Sequence, residues 1–366
     1  MTTKMKAFIK KEAVFFISLL CAAVTMLLVP PDKEYLHYID FRVLALLFCL
    51  MAVVAAFKSI GVFGVLTSKL LSKIKNGRVL SVYLIMLPFF TSMLVTNDVA
   101  LIVFVPFTAG LLTELGYTKN VASVLVFQTV AANLGSMATP VGNPQNLYLY
   151  SAYNLTAGEF FSAVLPLTAV SLVCLLVSAL FLLPKELPFC NIKEEKIESN
   201  KKLLLFTALF LLCILTVFKV VHFGITTAAV VVIFLIVDRK IFRETDFMLL
   251  LTFVCFFVIS ENLGRVEAVR AFLQALLSKN ALLTSVGASQ VISNVPAAVL
   301  LSSFTDDWKA LLEGVNIGGL GTPVASLASL ITLKLYLKTK NSNIVKFLIN
   351  FTLVNIIGLA VLLIFA

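Results

Sequence analysis

The sequence predicts an all-α polytopic membrane protein built from two repeats of opposite orientation, each carrying one re-entrant hairpin and one broken helix. Three observations lead there. Of 366 residues, 60% are hydrophobic and 13% charged, whereas soluble domains run at about 45–50% apolar and about 25% charged; that much apolar surface has no place to hide in water. Two apolar regions are interrupted by similar polar residues, Thr96-Asn97-Asp98-Val99-Ala100 and Ser293-Asn294-Val295-Pro296-Ala297. Each interruption is followed by a matching stretch: Asn133 to Val141 and Asn316 to Val324 share five of nine residues in the pattern N-x-G-x-x-x-T-P-V.

Taken in order, residues 1–40 hold a first apolar run, 14–30, behind Lys10 and Lys11. Such a run can be a cleaved signal; a retained anchor is expected, because no clean small-x-small pattern follows it. Residues 41–183 form the first repeat unit. It comprises a span at 41–57, an amphipathic stretch from Gly61 to Asn76, a hairpin over 79–113, a broken span over 118–150 and a span at 160–183. Residues 184–246 form a cytoplasmic linker and two inverting spans, 202–218 and 223–237. Residues 247–366 repeat the first unit: a span at 247–262, an amphipathic stretch from Gly264 to Lys279, a hairpin over 280–304, a broken span over 308–337 and a span at 344–366. A crossing takes roughly 20 apolar residues. In the two amphipathic stretches Val62, Val65, Leu66, Leu70 and Ile74 oppose Lys69, Lys73 and Lys75, and Val266, Val269, Phe272, Leu273, Leu276 and Leu277 oppose Arg265, Arg270 and Lys279. Both read as helices lying at the bilayer interface.

Charge sets the orientation. With the N-terminus cytoplasmic, 22 of the 29 Lys and Arg fall on the cytoplasmic side, leaving Lys33, Arg42, Lys219, Arg265, Arg270, Lys279 and Lys309 outside, a strong positive-inside bias. Spanning pairs in place of re-entrant hairpins would give the same loop sides, so re-entrance rests on the repeat. The short loops fit a bacterial inner membrane. The net charge of +10 therefore serves topology rather than nucleic acid, for which no basic, aromatic-interleaved soluble segment exists. No G-x-x-x-x-G-K run is present, so transport work must draw on gradients. Five of six cysteines lie in apolar runs and Cys190 stands alone, which indicates neither a disulfide framework nor a metal cluster. No His/Asp/Glu or Ser/His/Lys constellation within the spans suggests an enzyme.

Backbone groups freed by a helix break must be satisfied by protein or by a water-filled cavity. Thr96, Asn97, Asp98, Ser293 and Asn294 are residue types that cap a helix start, and Pro296 suits a first turn. Thr139 and Thr322 can cap the second halves of the broken helices, while Pro140 and Pro323 stop the first halves. Gly142 gives room, and Asn143, Gln145 and Asn146 add amides to the first break only. Four helix ends would meet near mid-bilayer, where N-termini favour an anion and freed carbonyls a small cation. The plainer reading, kinks packed for close contact, suits one isolated motif better than two in matching order. Inverted repeats with broken helices are a signature of secondary transporters, and a channel is the other transport reading. Asp98, ionisable at membrane depth, is a candidate for cation or proton exchange or a locally satisfied cap; Glu313 is a second candidate.

At these residues the chain resembles the ion transporter superfamily, which includes sodium-coupled dicarboxylate and citrate carriers, arsenite permeases and a sodium/proton antiporter branch. The resemblance covers 41–183 and 247–366. It implies a homodimeric carrier with a static scaffold and a mobile transport domain that moves elevator-fashion, with no cofactor beyond Na+ or H+ as coupling ion. In the sodium-coupled dicarboxylate branch each hairpin tip reads Ser-Asn-Thr. Here the tips are Thr96-Asn97-Asp98 and Ser293-Asn294-Val295, so both third-position threonines are missing. Sodium is expected at Thr96, Asn97, Ser293 and Asn294, and a small anionic solute at the same tips together with Asp98, Asn133, Gly135, Thr139, Pro140, Gly142, Asn143, Asn316, Gly318, Thr322, Pro323 and Ala325. Thr96 to Ile102 and Asn316 to Leu330 look closer to the arsenite permease branch, and the acidic tip would repel a dianion unless neutralised. The alternative is a sodium/proton antiporter using Asp98.

Overall fold

The protein is described by a computed structural model that covers residues 12–71, 74, 76–186, 196–339 and 342–366. The charges expected at Lys4, Lys6, Lys10 and Lys11, Lys73 and Lys75 of the first amphipathic stretch, Cys190, and the Lys193 to Glu195 part of the linker lie outside the described residues. The described chain is helical throughout, with no strand among the described residues. Among the described residues six helices are long and apolar enough to cross a membrane, and six further apolar helices are shorter.

The first run is α1 (Ala13–Leu28), followed by α2 (Phe41–Ser59) and the short amphipathic α3 (Val62–Leu71). The first hairpin is α4 (Gly77–Ser92) and α5 (Asn97–Glu114), and the first broken helix is α6 (Val121–Ser136) and α7 (Pro144–Ala152). α8 (Ala157–Ala179) closes the first unit, and α9 (Asn200–Val217), α10 (Phe223–Val237) and the short α11 (Ile241–Glu244) connect it onward. The second unit runs α12 (Phe247–Arg265), α13 (Glu267–Lys279), hairpin α14 (Ala281–Ile292) and α15 (Asn294–Ser302), broken helix α16 (Trp308–Ile317) and α17 (Leu327–Tyr336), and α18 (Ile344–Phe365).

Local chemistry explains many of the starts. Asp40, Asp246, Asn280, Asp307 and Asn343 each accept a hydrogen bond from an amide of the following first turn, satisfying donors a helix start leaves free. Thr156 and Glu159 form a reciprocal capping box at α8, the Thr-x-x-Glu arrangement that pairs two such donors at once.

Packing is crossed between the units. Within each unit the hairpin packs on its own broken helix, α4 and α5 on α6, α14 and α15 on α16. The second half of each broken helix reaches the other unit's hairpin: α17 lies against α5 and α6, and α7 against α15. α1 packs along α12, and α9 and α10 pack along α2. Around the breaks, fully buried Phe89, Phe104 and Leu84 fill the first hairpin, and Leu311, Leu312 and Val315 seat α16.

Candidate functional site

The first residues of four helices line one small cavity. It is bounded by Asn97 and Asp98 of α5, Pro144 and Gln145 of α7, Asn294 and Val295 of α15, and Leu327 of α17 with Ser326 just before it, with Leu249 of α12 beside them. Its volume is about 10 Å³, room for roughly one water-sized sphere. Helix N-termini present unpaired N–H groups and about half a positive charge each. Among the described residues no lysine, arginine or histidine lines this cavity, and Asp98 carries the only formal charge.

The walls are held by hydrogen bonds that recur in the register of the motif alignment. In that register Gly142 matches Ala325 and Asn143 matches Ser326. The Asn97 amide nitrogen donates to the Gly142 carbonyl at 3.2 Å, and the Asn294 nitrogen donates to the Ala325 carbonyl at 2.9 Å. The Thr139 hydroxyl donates to the Met93 carbonyl at 2.5 Å, and the Thr322 hydroxyl to the Gln290 carbonyl at 3.1 Å. Each threonine thus ties its break to the incoming helix of the hairpin beside it. Neither is a cap: α7 starts after Asn143, whose Oδ1 accepts from the Asn146 amide at 2.8 Å, and α17 starts after Ser326. The structure shifts both helix starts past the T-P-V elements, because Pro140 and Pro323 occupy irregular backbone there. At the hairpin tips Thr96 and Ser293 sit at the cap positions, as their residue types suggest, yet neither side chain makes the capping bond. Ser293 instead donates to the Ala325 carbonyl at 3.3 Å and holds φ 73, ψ 153, a conformation that essentially only glycine adopts without strain.

A second set of bonds crosses between the units. Ser326 Oγ donates to Asn133 Oδ1 at 3.1 Å, and Asn143 Nδ2 donates to Asn316 Oδ1 at 3.2 Å. The residue before each α7 or α17 start therefore braces the motif asparagine of the opposite unit. Asn133 Oδ1 also accepts from Asn97 Nδ2 at 2.8 Å, its Nδ2 donates to the Gly319 carbonyl at 3.4 Å, and Asn316 Nδ2 donates to Asn146 Oδ1 at 2.7 Å.

The carbonyls freed at the breaks are largely occupied. Asn146 Nδ2 lies within 3.5 Å of the Ser136, Met137 and Thr139 carbonyls, and Gln290 Nε2 donates to those of Gly318 and Leu320 at 2.9 Å each.

Of the residues singled out by sequence, Asn97, Asp98, Gln145 and Asn294 line the cavity. Asn133, Thr139, Asn143, Ser293, Asn316 and Ala325 form the surrounding joints, Thr96 stands at the start of α5 without a side-chain bond, and Pro140 lies buried in the first break. Gly135, Gly142 and Gly318 are close approaches: a Cβ would lie 2.1 Å from the Phe89 carbonyl oxygen, 2.1 Å from that of Ser136 and 2.7 Å from Ser289 Cβ. Thr322 is exposed and Pro323 half-buried, both clear of the cavity lining. Glu313 is 3.7 Å from Lys309 and away from the cavity. Sequence reasoning passed over Gln290 and Ser326. A lone amide inside an apolar hairpin helix and the alignment of Ser326 with a capping Asn143 were the available signals.

A larger cavity of about 310 Å³ lies where α12 faces α7 and α15, with Asp40, Tyr148, Phe257, Ser260 and Glu261 in its wall. Tyr148 Oη is 2.8 Å from Ser302 Oγ, and Ser260 Oγ donates to the Val299 carbonyl at 3.0 Å, so both sides of this cavity grip α15.

Apolar crossing helices around a polar site made from paired helix breaks define an integral multi-pass membrane transporter. A family model described as citrate transporter matches residues 5–310, and the chain belongs to that family. It is 32% identical over 343 residues to an uncharacterized transporter of Methanocaldococcus jannaschii, covering 91% of each chain. It is 30% identical over 310 residues to the inner membrane protein YbiR of Escherichia coli, covering 83% of this chain and 82% of the relative. A shorter similarity, 29% over 167 residues, covers 45% of this chain and 34% of the silicon efflux transporter LSI3 of Oryza sativa.

Proposed function

We propose that the protein is a secondary active permease for a small hydroxylated oxyacid or carboxylate anion, coupled to sodium or protons, residing in a bacterial inner membrane with a cytoplasmic N-terminus. The observation that carries this reading is the cavity at four helix N-termini, lined by amides, a hydroxyl residue and one carboxylate. Helix N-termini attract the oxygens of an acid. The carboxylate of Asp98 and the lack of a lysine or arginine among the described lining residues disfavour a fully ionised tricarboxylate, since no cationic side chain there would help the helix termini offset its charge. A compact acid that keeps some of its hydroxyls meets both sides of the lining: its oxygens accept from N–H groups and its O–H groups donate to Asp98. The named activity of the rice relative, silicon efflux, concerns a solute of that kind. Alternating access follows an elevator scheme in which both hairpins and both broken helices move as one body, and the crossed packing of α17 on α5 and α7 on α15 supports their moving together. A homodimer supplies the static scaffold.

A second reading, sodium/proton antiport at Asp98, is favoured by one observation. The Asp98 carboxylate lines the cavity with no hydrogen bond or ion pair to a described residue, as an exchangeable group requires. Both readings are tested in proteoliposomes by crossing arsenite, silicic acid, phosphate, citrate and C4 dicarboxylates with imposed sodium and proton gradients. Saturable uptake or counterflow of at least one solute is expected. No uptake under any gradient would sink the permease reading. Sodium-driven proton flux without solute, lost in Asp98→Asn, would replace it with the antiporter.

A further inference from the structure

We propose that Gln145 is the residue that sets solute specificity at this site, by offering a free amide to a ligand that both donates and accepts hydrogen bonds; this rests on the permease reading above.

The first break carries three amides within one turn, Asn143, Gln145 and Asn146, and the structure separates them by use. Asn143 caps α7 and braces Asn316. Asn146 gathers three carbonyls and accepts from Asn316. Gln145 is 2% exposed, lines the cavity, and its side chain makes no hydrogen bond to a described residue. Asn294, 4% exposed and also lining the cavity, has a side-chain amide in the same condition. Among the described residues the fully enclosed, unpaired polar atoms sit on Gln128, Asn262, Ser329 and Asn355, so the Gln145 and Asn294 amides open onto the cavity itself, and two of them beside an unpaired Asp98 carboxylate mark a place kept polar for something that enters it.

The pseudo-symmetry breaks at this position. In the register that pairs Asn143 with Ser326, Gln145 corresponds to Ala328, a fully buried methyl group. Most of the joints around the cavity have counterparts in both units, whereas the Gln145 amide occurs once. It sits in the first turn of α7, behind Pro144 at the first helical position, where proline fixes the backbone and no N–H is lost. The side chain thus projects from a rigid start. Its Nε2 would donate to a ligand oxygen and its Oε1 accept from a ligand hydroxyl, while Asp98 offers a second acceptor. A fully ionised polyanion cannot use the acceptors; a partly protonated oxyacid can.

The test compares the wild type with Gln145→Met, which keeps the volume and loses both functions, and Gln145→Glu, which keeps the shape and an acceptor but adds charge beside Asp98. Ligand-induced thermal stabilisation of the purified protein is measured against arsenite, silicic acid, phosphate, citrate and sodium chloride, alongside uptake. For the solute that stabilises the wild type, Gln145→Met is expected to weaken binding about tenfold or more, a loss of about 1.4 kcal/mol, with the unliganded melting temperature unchanged. Gln145→Glu is expected to lose the solute and to make stabilisation by sodium stronger. Unchanged solute affinity in both variants would overturn the assignment while leaving the permease reading intact. Loss of affinity in a protein that binds solute but never transports it would keep the assignment and defeat the permease. A wild type stabilised by none of the solutes would overturn both.

Discussion

Asn146 does with one side chain what a helix ladder does with several bonds: its Nδ2 serves the Ser136, Met137 and Thr139 carbonyls and its Oδ1 accepts from Asn316. The residue is fully buried, so no water stands ready to replace it. Asn146→Ala strands the Ser136 and Met137 carbonyls and one Asn316 N–H in a low-dielectric interior, while the Thr139 carbonyl keeps the Gly142 N–H; each unmet polar group costs about 1–3 kcal/mol. A destabilisation of roughly 3 kcal/mol or more is expected, read as a lower melting temperature of the purified protein without any ligand. Its neighbour Gln145 has no such protein partners, and Gln145→Met should leave that same temperature in place. The contrast separates the amide that builds the break from the one that faces the cavity, adjacent positions in α7.

At the scale of elements, the breaks depend on helices approaching more closely than a side chain allows. Gly135 lies against α4 so tightly that an added Cβ would sit 2.1 Å from the Phe89 carbonyl oxygen, inside any attainable contact. Gly135→Ala must push α6 away from α4 and with it the Asn97–Asn133 bond, so loss of folded protein in size-exclusion profiles is expected. Gly287, in α14, has open space where a side chain would begin, with nothing within 4 Å of an added Cβ. Gly287→Ala should fold normally and gain about 0.5–1 kcal/mol from helix propensity, read as a higher melting temperature. These elements were legible in the sequence because run length, Pro and Gly punctuation and the recurrence of N-x-G-x-x-x-T-P-V each constrain the backbone directly. Helix edges at the breaks were less so: Thr139 and Thr322 look like caps by residue type, but the prolines after them extend the irregular backbone to Asn143 and Ser326. The site was legible as a set of polar residues and illegible as a division of labour. Asn143, Gln145 and Asn146 share one chemistry, and only packing decides which amide is spent on the fold.

For the whole molecule, the crossed bracing predicts that the two units cannot stand alone. α17 fills the face of α5 and α6, α7 lies against α15, and Ser326–Asn133 and Asn143–Asn316 stitch the breaks together across the units. A half ending before α9 would expose the apolar face that receives α17 and leave Asn133 Oδ1 without Ser326; the other half would leave Asn316 without Asn143 and Asn146. Both also lose the partner that buries the four helix starts, where backbone donors have no alternative in lipid. None of these bonds involves the stretch of chain between α8 and α9. A chain divided there and co-expressed as two pieces should therefore assemble into a complex with the melting temperature and solute uptake of the intact protein. Either piece expressed alone should be degraded or aggregate. Independent folding of either piece, seen as a monodisperse peak with cooperative melting, would show that the cross-unit bonds are incidental to stability and that the cavity is assembled late, by docking of two finished units.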